Sequence, residues 1–328
     1  MFDLCAGFVY SQTLLACVQL RLFEILAKDP QTAADLAATL QLTVSATTRL
    51  LDAAVSLNLA ERRSAGRYGL GALGCAMLGN PGVTAMIEHH TALYADLADP
   101  VALLRNGPPG ALVGYWPYAD AADPASLSAE QTDRYTTLMA ASQAFIAEEI
   151  LAAYDFSRHR GLLDVGGGDG TFLALVAACA PSLRLQLFDL PVVAARARTL
   201  FAARRLNQAV AIGGDAIRGP LPAGSDIISF VRVLHDHDDD DALAMLRHAY
   251  AALPPGGSVL VAEPMSGTNG AAPIGDAYFG FYFLAMGQGR SRTSQALAAL
   301  LADASFLKIR LLPTRMPILA RILVATKA

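Results

Sequence analysis

The second half of the chain alternates short, mostly apolar runs with longer stretches whose apolar positions recur at helical spacing. Residues 162–165, 185–189, 209–213, 226–233 and 258–262 are the short runs, and their length and composition predict strands buried on both faces. The stretch opening at Thr171, then 191–206 and 239–253, read as helices; Pro191 sits in a first turn and Pro254, Pro255, Gly256 and Gly257 stop the last. Strands alternating with helices predict a parallel sheet covered on both faces. In such sheets ligands bind beyond the carboxyl ends of the strands, where Asp189, Asp215, His235 and Glu263 fall.

The first half is helical. Residues 4–27 place Leu4, Phe8, Leu14, Leu15, Val18, Leu22 and Ile25 at helical spacing, too continuous for a helix with a solvated face. It is expected to be buried against a second copy of the chain. Residues 32–40 and 45–54 read as two helices about a turn at 41–43, and 59–70 as a small hairpin, together a winged-helix module. Residues 79–128 are less regular, and Tyr94, Tyr115, Trp116 and Tyr118 with Pro108, Pro109 and Pro117 suggest loops near a binding cavity. Residues 129–154 return to helix. The expected division is 1–95, a helical linker and cavity region at 96–155, and 156–328.

The first predicted strand of the sheet runs into Gly166, Gly167, Gly168, Asp169 and Gly170, a strand, a tight glycine turn and a helix N-terminus. Glycines let the backbone approach a nucleotide-like ligand and adopt angles other residues resist. Asp189, about 20 residues beyond the loop, is placed to accept hydrogen bonds from both hydroxyls of a ribose. The loop alone also suits a dinucleotide. Asp164 and Asp169, however, are read as facing the place of a pyrophosphate, and a cationic ligand such as S-adenosylmethionine fits that charge better.

Composition narrows the class. Hydrophobic residues make up 54% of the 328 and charged ones 16%, yet no apolar run reaches the roughly 18 residues that span a bilayer. A cytoplasmic location is expected. A net charge of −4 argues against a nucleic-acid surface, although Arg62, Arg63 and Arg67 in the wing point the other way. Cys5, Cys17, Cys75 and Cys179 are far apart and predict neither disulfide nor zinc site.

Methyl transfer from a sulfonium is an in-line displacement that needs alignment and a proton acceptor. His235 is the candidate base, because an imidazole of ordinary pKa is mostly neutral at pH 7. Glu263 is expected to bond its other ring nitrogen and fix the tautomer. The segment His235 to Asp241 also reads as a solvated acidic loop opening the next helix. It partly matches a HxHxDH zinc motif, but Asp240 stands where the last His belongs, and no metal is expected.

The order winged helix, glycine loop, Phe188 to Pro191, Gly214 with Asp215, Val233 to Asp236 and Ala262 to Pro264 resembles the S-adenosylmethionine-dependent small-molecule O-methyltransferases of the caffeate and acetylserotonin type. The resemblance covers nearly the whole chain. It implies an α/β fold, a Rossmann-like class I methyltransferase sheet preceded by an all-helical winged-helix dimerisation domain, and an obligate homodimer. It implies cofactor contacts at Asp164, Gly166, Gly168, Asp189, Leu190, Asp215, Ala216 and Arg232, with His235 and Glu263 catalytic and S-adenosylhomocysteine as product.

Residues 263–267, 275–282 and 2–11 look like the bacterial carotenoid branch, whose members methylate hydroxyneurosporene or demethylspheroidene. Tyr278, Phe279, Tyr282, Phe283 and Met286, beside Phe281, then suit a long polyene, and a lipophilic acceptor brings the expectation of transient membrane contact to collect it. Phenolic metabolites, a bacteriochlorophyll precursor and a ligand-sensing winged-helix regulator are the other readings. Plant relatives carry a second glutamate where Ser291 stands, so that arrangement is lost here. A tertiary alcohol is too weak an acid to lose its proton first, which leaves concerted loss or alignment alone. The relatives also have a leading segment, so Met1 is not expected to be the natural start.

Overall fold

The computed structural model describes residues 1–115 and 127–328, so Trp116, Pro117 and Tyr118 of the aromatic group lie outside the described residues. The chain divides between Thr91 and Ala92 into two compact units. The region expected as a separate linker, 96–155, folds with the second unit: Leu103 and Leu112 join an aromatic cluster of that unit, and the long helix at 129–153 covers its sheet.

In the first unit, α1 (Phe2–Gln19) and α2 (Leu22–Lys28) stand where one helix was expected. Arg21 breaks them with a left-handed φ of 54°. Within one chain α1 is only partly buried. Leu15, Cys17 and Val18 are buried, whereas Phe2, Leu4 and Phe8 are 82%, 82% and 63% exposed. After β1 (Gln31–Thr32), α3 (Ala33–Leu40) opens with a capping box in which Thr32 and Asp35 satisfy each other's backbone N–H. Gln41, at φ 56°, ends it, and Thr43 caps α4 (Val44–Ser56). β2 (Ala60–Arg62) and β3 (Arg67–Leu70) form the wing, and with β1 they make a three-stranded antiparallel sheet in the order β1-β3-β2. The hairpin of β2 and β3 is the one expected at 59–70, and β1 is the strand added to it. α5 (Ala72–Met77) follows, and Leu22, Phe23, Leu36, Leu51 and Tyr68 form the core. The wing arginines are engaged internally. Arg62 pairs with Asp52 at 2.6 Å, Arg63 with Glu61, and Arg67 donates to the Pro30 carbonyl.

α6 (Pro81–Asp96) leads into the second unit, followed by α7 (Pro100–Asn106) and α8 (Ala129–Ala153). Then β4 (Gly161–Val165), α9 (Thr171–Cys179), β5 (Arg184–Asp189), α10 (Pro191–Ala203), β6 (Ala209–Gly213), β7 (Ile227–Val231), α11 (Asp239–Ala252) and β8 (Ser258–Glu263) alternate as the periodicity predicts. The expected strand at 226–233 stops at Val231, because Arg232 takes a left-handed φ of 56° and a tight 3₁₀ turn follows at Leu234–Asp236. A π-helical turn, Pro273–Tyr278, runs into α12 (Phe279–Met286), and α13 (Ser294–Asp303) follows.

β9 (Leu307–Leu312) and β10 (Arg321–Thr326) complete a seven-stranded sheet in the order β6-β5-β4-β7-β8-β10-β9. The first five are parallel, and β10 is antiparallel to both neighbours. One core, with Phe172, Leu173 and Val176 of α9, fills one face; the other holds Met245, Leu246, Leu297 and Phe306. The strand order turns back between β4 and β7, and the crevice beyond those strand ends is where such sheets bind ligands.

Candidate active site

A cavity of about 380 Å³ opens at that crevice. Gly166 to Asp169 come from the turn after β4, Asp189 and Leu190 from the end of β5, Gly214 to Arg218 from the loop after β6, and Arg232, Asp236 and His237 from the loop after β7. A side chain added at Gly168 would meet nothing within 4 Å, so the glycine leaves open space at the wall. Asp189 takes N–H groups from both sides, from Gly168 at 2.8 Å and Leu190 at 2.7 Å. Burial still pushes its carboxyl up to about 6. Asp215 accepts from Ile217 and Arg218 N–H groups, tying its loop into a turn.

Gly166, Gly168, Asp189, Leu190, Asp215, Ala216 and Arg232 therefore all line the cavity. Asp164 does not face it as expected. Its side chain is 1% exposed and lies beneath Gly167, where a Cβ would come within 2.7 Å of its Oδ2. Ser229 donates to its Oδ1 at 2.6 Å, Oδ2 has no partner among the described residues, and burial, with the neighbouring Asp189 charge, lifts its carboxyl to about 7. A carboxyl set behind the loop shapes the loop rather than the ligand surface.

One wall was missed altogether. Tyr135, Thr136, Met139, Ala140 and Gln143 of α8 line the cavity, and their spacing of three and four residues marks one helix face. The signal was present, but apolar and polar members mix along it. Arg232 reaches the same face, donating to Ser142 Oγ at 2.9 Å, to the Met139 carbonyl at 2.9 Å and to Gln143 Oε1.

His235 and Glu263 lie behind the wall, not on it. The His235 side chain is buried, its Nε2 is 3.3 Å from Asp236 Oδ1, and its Nδ1 has no partner among the described residues. Burial, then the Arg232, Arg292 and His237 charges, hold the ring down at about 3, so it is neutral at physiological pH. Glu263 does not bond the ring as expected. Its Oε2 accepts the His235 backbone N–H at 3.2 Å, because the carboxylate points at the turn that carries the histidine. Burial raises Glu263 to about 7 against the pull of Arg292 and the His235 and Leu234 N–H groups.

The His235 ring packs 5.1 Å from the Phe283 ring and 6.1 Å from that of Phe279. These belong, with Tyr278, Tyr282 and Met286, to a cluster completed by Leu93, Leu103 and Leu112. The sequence-predicted acceptor residues are thus together, beside the histidine.

Residues 94–307 match the O-methyltransferase domain, and residues 2–80 match the O-methyltransferase dimerisation domain. The chain belongs to the O-methyltransferase family. It is 42% identical to the demethylspheroidene O-methyltransferase of Cereibacter sphaeroides, over all of this chain and 86% of that one, and 38% identical to that of Rhodobacter capsulatus, over all of this chain and 81% of that one. Human N-acetylserotonin methyltransferase, solved in complex with SAM, superposes with a TM-score of 0.83 at 25% identity, covering 99% of this chain and 96% of that one. The dimerisation domain makes this methyltransferase a homodimer-forming chain, and no helix among the described residues is long and apolar enough to cross a membrane.

The cavity fits the cofactor of this S-adenosylmethionine-dependent family. Asp169, Asp189, Asp215, Asp236 and Asp241 line it against Arg218 and Arg232, a balance suited to a ligand carrying sulfonium and ammonium groups. The paired oxygens of Asp189 lie where ribose hydroxyls are held in such sheets, and the loop glycine leaves room for close approach.

Proposed function

We propose that this O-methyltransferase carries a methyl group from S-adenosylmethionine to the hydroxyl of a lipophilic, hydroxylated carotenoid, as its relatives' name demethylspheroidene O-methyltransferase describes for them. The observation that carries the acceptor class is the setting of His235. A neutral imidazole whose Nδ1 has no partner among the described residues sits against the Phe279 and Phe283 rings, in a cluster of aromatic and aliphatic side chains. A polyene buries apolar surface there at little cost in unpaired polar groups.

When bound, the cofactor supplies an electrophilic methyl group. Asp189 would hold its ribose hydroxyls, the glycine turn and the loop after β6 would enclose its nucleoside, and the acidic wall would offset its positive charge. The His235 ring accepts the hydrogen bond of the acceptor hydroxyl and so points an oxygen lone pair along the line of transfer. Held at about 3, the ring is too weak a base to ionise an alcohol in advance. That strength suffices for a proton that becomes acidic only as the methyl arrives, so proton loss accompanies transfer.

The test is mass spectrometry of products after incubating the wild-type protein and His235→Ala with S-adenosylmethionine and a panel of hydroxyneurosporene, demethylspheroidene and several phenols. One added methyl on a carotenoid, with turnover lowered about 100-fold or more in the variant at unchanged cofactor affinity, is the expected result. Methylation of phenols alone would overturn the acceptor. Full turnover in the variant would remove His235 from the mechanism.

A further inference from the structure

Arg292 is among the largest fully buried side chains in the protein, at 1% exposure. Burying a guanidinium is costly unless each donor is met. Its Nη1 donates to the Leu234 carbonyl, its Nη2 to the His237 carbonyl and its Nε to Asp239 Oδ1, each at 2.7 Å. All three acceptors lie in the segment that bears His235. The neighbouring backbone adds to the grip: Arg290 N–H donates to the His235 carbonyl at 2.9 Å, and Gly289 N–H to Asp238 Oδ1 at 3.1 Å. From the other side Glu263 takes the N–H groups of Leu234 and His235. One charged group collects the carbonyls of the turn and the other its amides.

The turn lies between the two reactants. Asp236 and His237 line the cofactor cavity, while His235 packs on the aromatic cluster. A shift of the turn would therefore change the position of the proton acceptor relative to the methyl donor, even with the glycine turn, Asp189 and Asp215 in place.

The geometry points to Arg292 as a positioning residue for methyl transfer, which with Glu263 clamps the turn at residues 234–239 and sets the alignment of His235. The planar fork meets two carbonyls and a carboxylate from three separate nitrogens, whereas a lysine ammonium presents its donors from a single point on a flexible stem. Glu263 acts in the same device through the backbone, which is why its carboxylate is on the turn and not on the imidazole. Ser291, which bonds Ser266 Oγ at 2.9 Å, leaves this clamp as the charged brace of the turn. The inference rests on methyl transfer with His235 as the proton acceptor and not on the carotenoid.

The experiment compares wild type with Arg292→Lys, using whichever acceptor the wild type methylates and counting sites by titration with S-adenosylhomocysteine. Misaligning reacting groups by about 1 Å costs on the order of 100-fold, so kcat per titrated site is expected to fall about 30- to 100-fold. KM for the acceptor and the dissociation constant for S-adenosylhomocysteine are expected to stay within about threefold, because the glycine turn, Asp189, Asp215 and the aromatic cluster lie outside the clamped turn. A merely structural arginine would reduce the number of titratable sites and leave kcat per site unchanged, which would overturn the inference. If Arg292→Lys yields no folded protein, Asp239→Asn decides. Its carboxylate is about half exposed, and the same split with kcat lowered about 3- to 10-fold is expected; kcat at the wild-type value would sink the clamp. A wild type that methylates phenols but no carotenoid would end the acceptor reading while leaving this comparison intact.

Discussion

At Arg232 an L-residue holds φ at 56° at the end of β7, a conformation that costs roughly 1–2 kcal/mol. The bonds from its guanidinium to α8 offset that cost and turn the chain from strand to active-site loop. Asp189 shows how burial sets function at the same scale. Its carboxyl is lifted to about 6 by burial, against two N–H donors. A ligand whose hydroxyls donate to it binds the ionised form, so binding around pH 6 releases a proton and affinity falls as pH drops through that value. Calorimetry with S-adenosylhomocysteine is expected to show weaker binding at pH 5 than at pH 7, and Asp189→Asn to flatten that dependence; equal wild-type affinities at both pH values would overturn the titration of Asp189 in this range. Asp189 was legible as a residue type at a strand end. The contact made by Glu263 was not, because an acid at the end of the neighbouring strand can meet either the ring or the backbone of the histidine turn.

Among the elements, the βα turn at Gly170 is the most exacting. Its φ is +86°, and a Cβ there would come within 2.5 Å of the Phe201 ring of α10. Gly170→Ala therefore combines backbone strain with overpacking and is expected to destabilise the protein by about 2–3 kcal/mol. Urea unfolding with and without S-adenosylhomocysteine measures this, and an unchanged midpoint would contradict the packing described. The five parallel strands were legible because each is a short, mostly apolar run between helical stretches; β4, β7 and β8 are buried on both faces, whereas β6 lies at the edge with Val210 exposed. β9 and β10 were missed. β9 has exposed or half-buried residues throughout, and β10 earns its place by antiparallel pairing with β8, a partner about 60 residues away. The α8 wall went unread for a similar reason: a helix face shared by Thr136, Met139 and Gln143 acquires meaning only from the loop it faces.

For the whole molecule, the dimerisation domain and the exposed Phe2, Leu4 and Phe8 belong together. Three large exposed apolar side chains on the first turns of α1 leave apolar surface that an isolated chain would hold in water. Replacing them together with Ser is expected to shift the sedimentation coefficient from dimer to monomer, with the second unit still binding S-adenosylhomocysteine; a persistent dimer would place the interface elsewhere. The sequence by itself determined the alternation of strands and helices, the glycine turn, the acids at the strand ends and the membership of a methyltransferase family, because each rests on local spacing, on residue types within a short segment or, for the family, on the order of such segments along the chain. Only the tertiary structure decided that Asp164 sits behind the loop, that Glu263 and Arg292 grip the turn bearing His235, and that α8 closes the cavity. Those are long-range pairings. Which polar group satisfies which buried partner is settled by how the packed elements bring their backbones together.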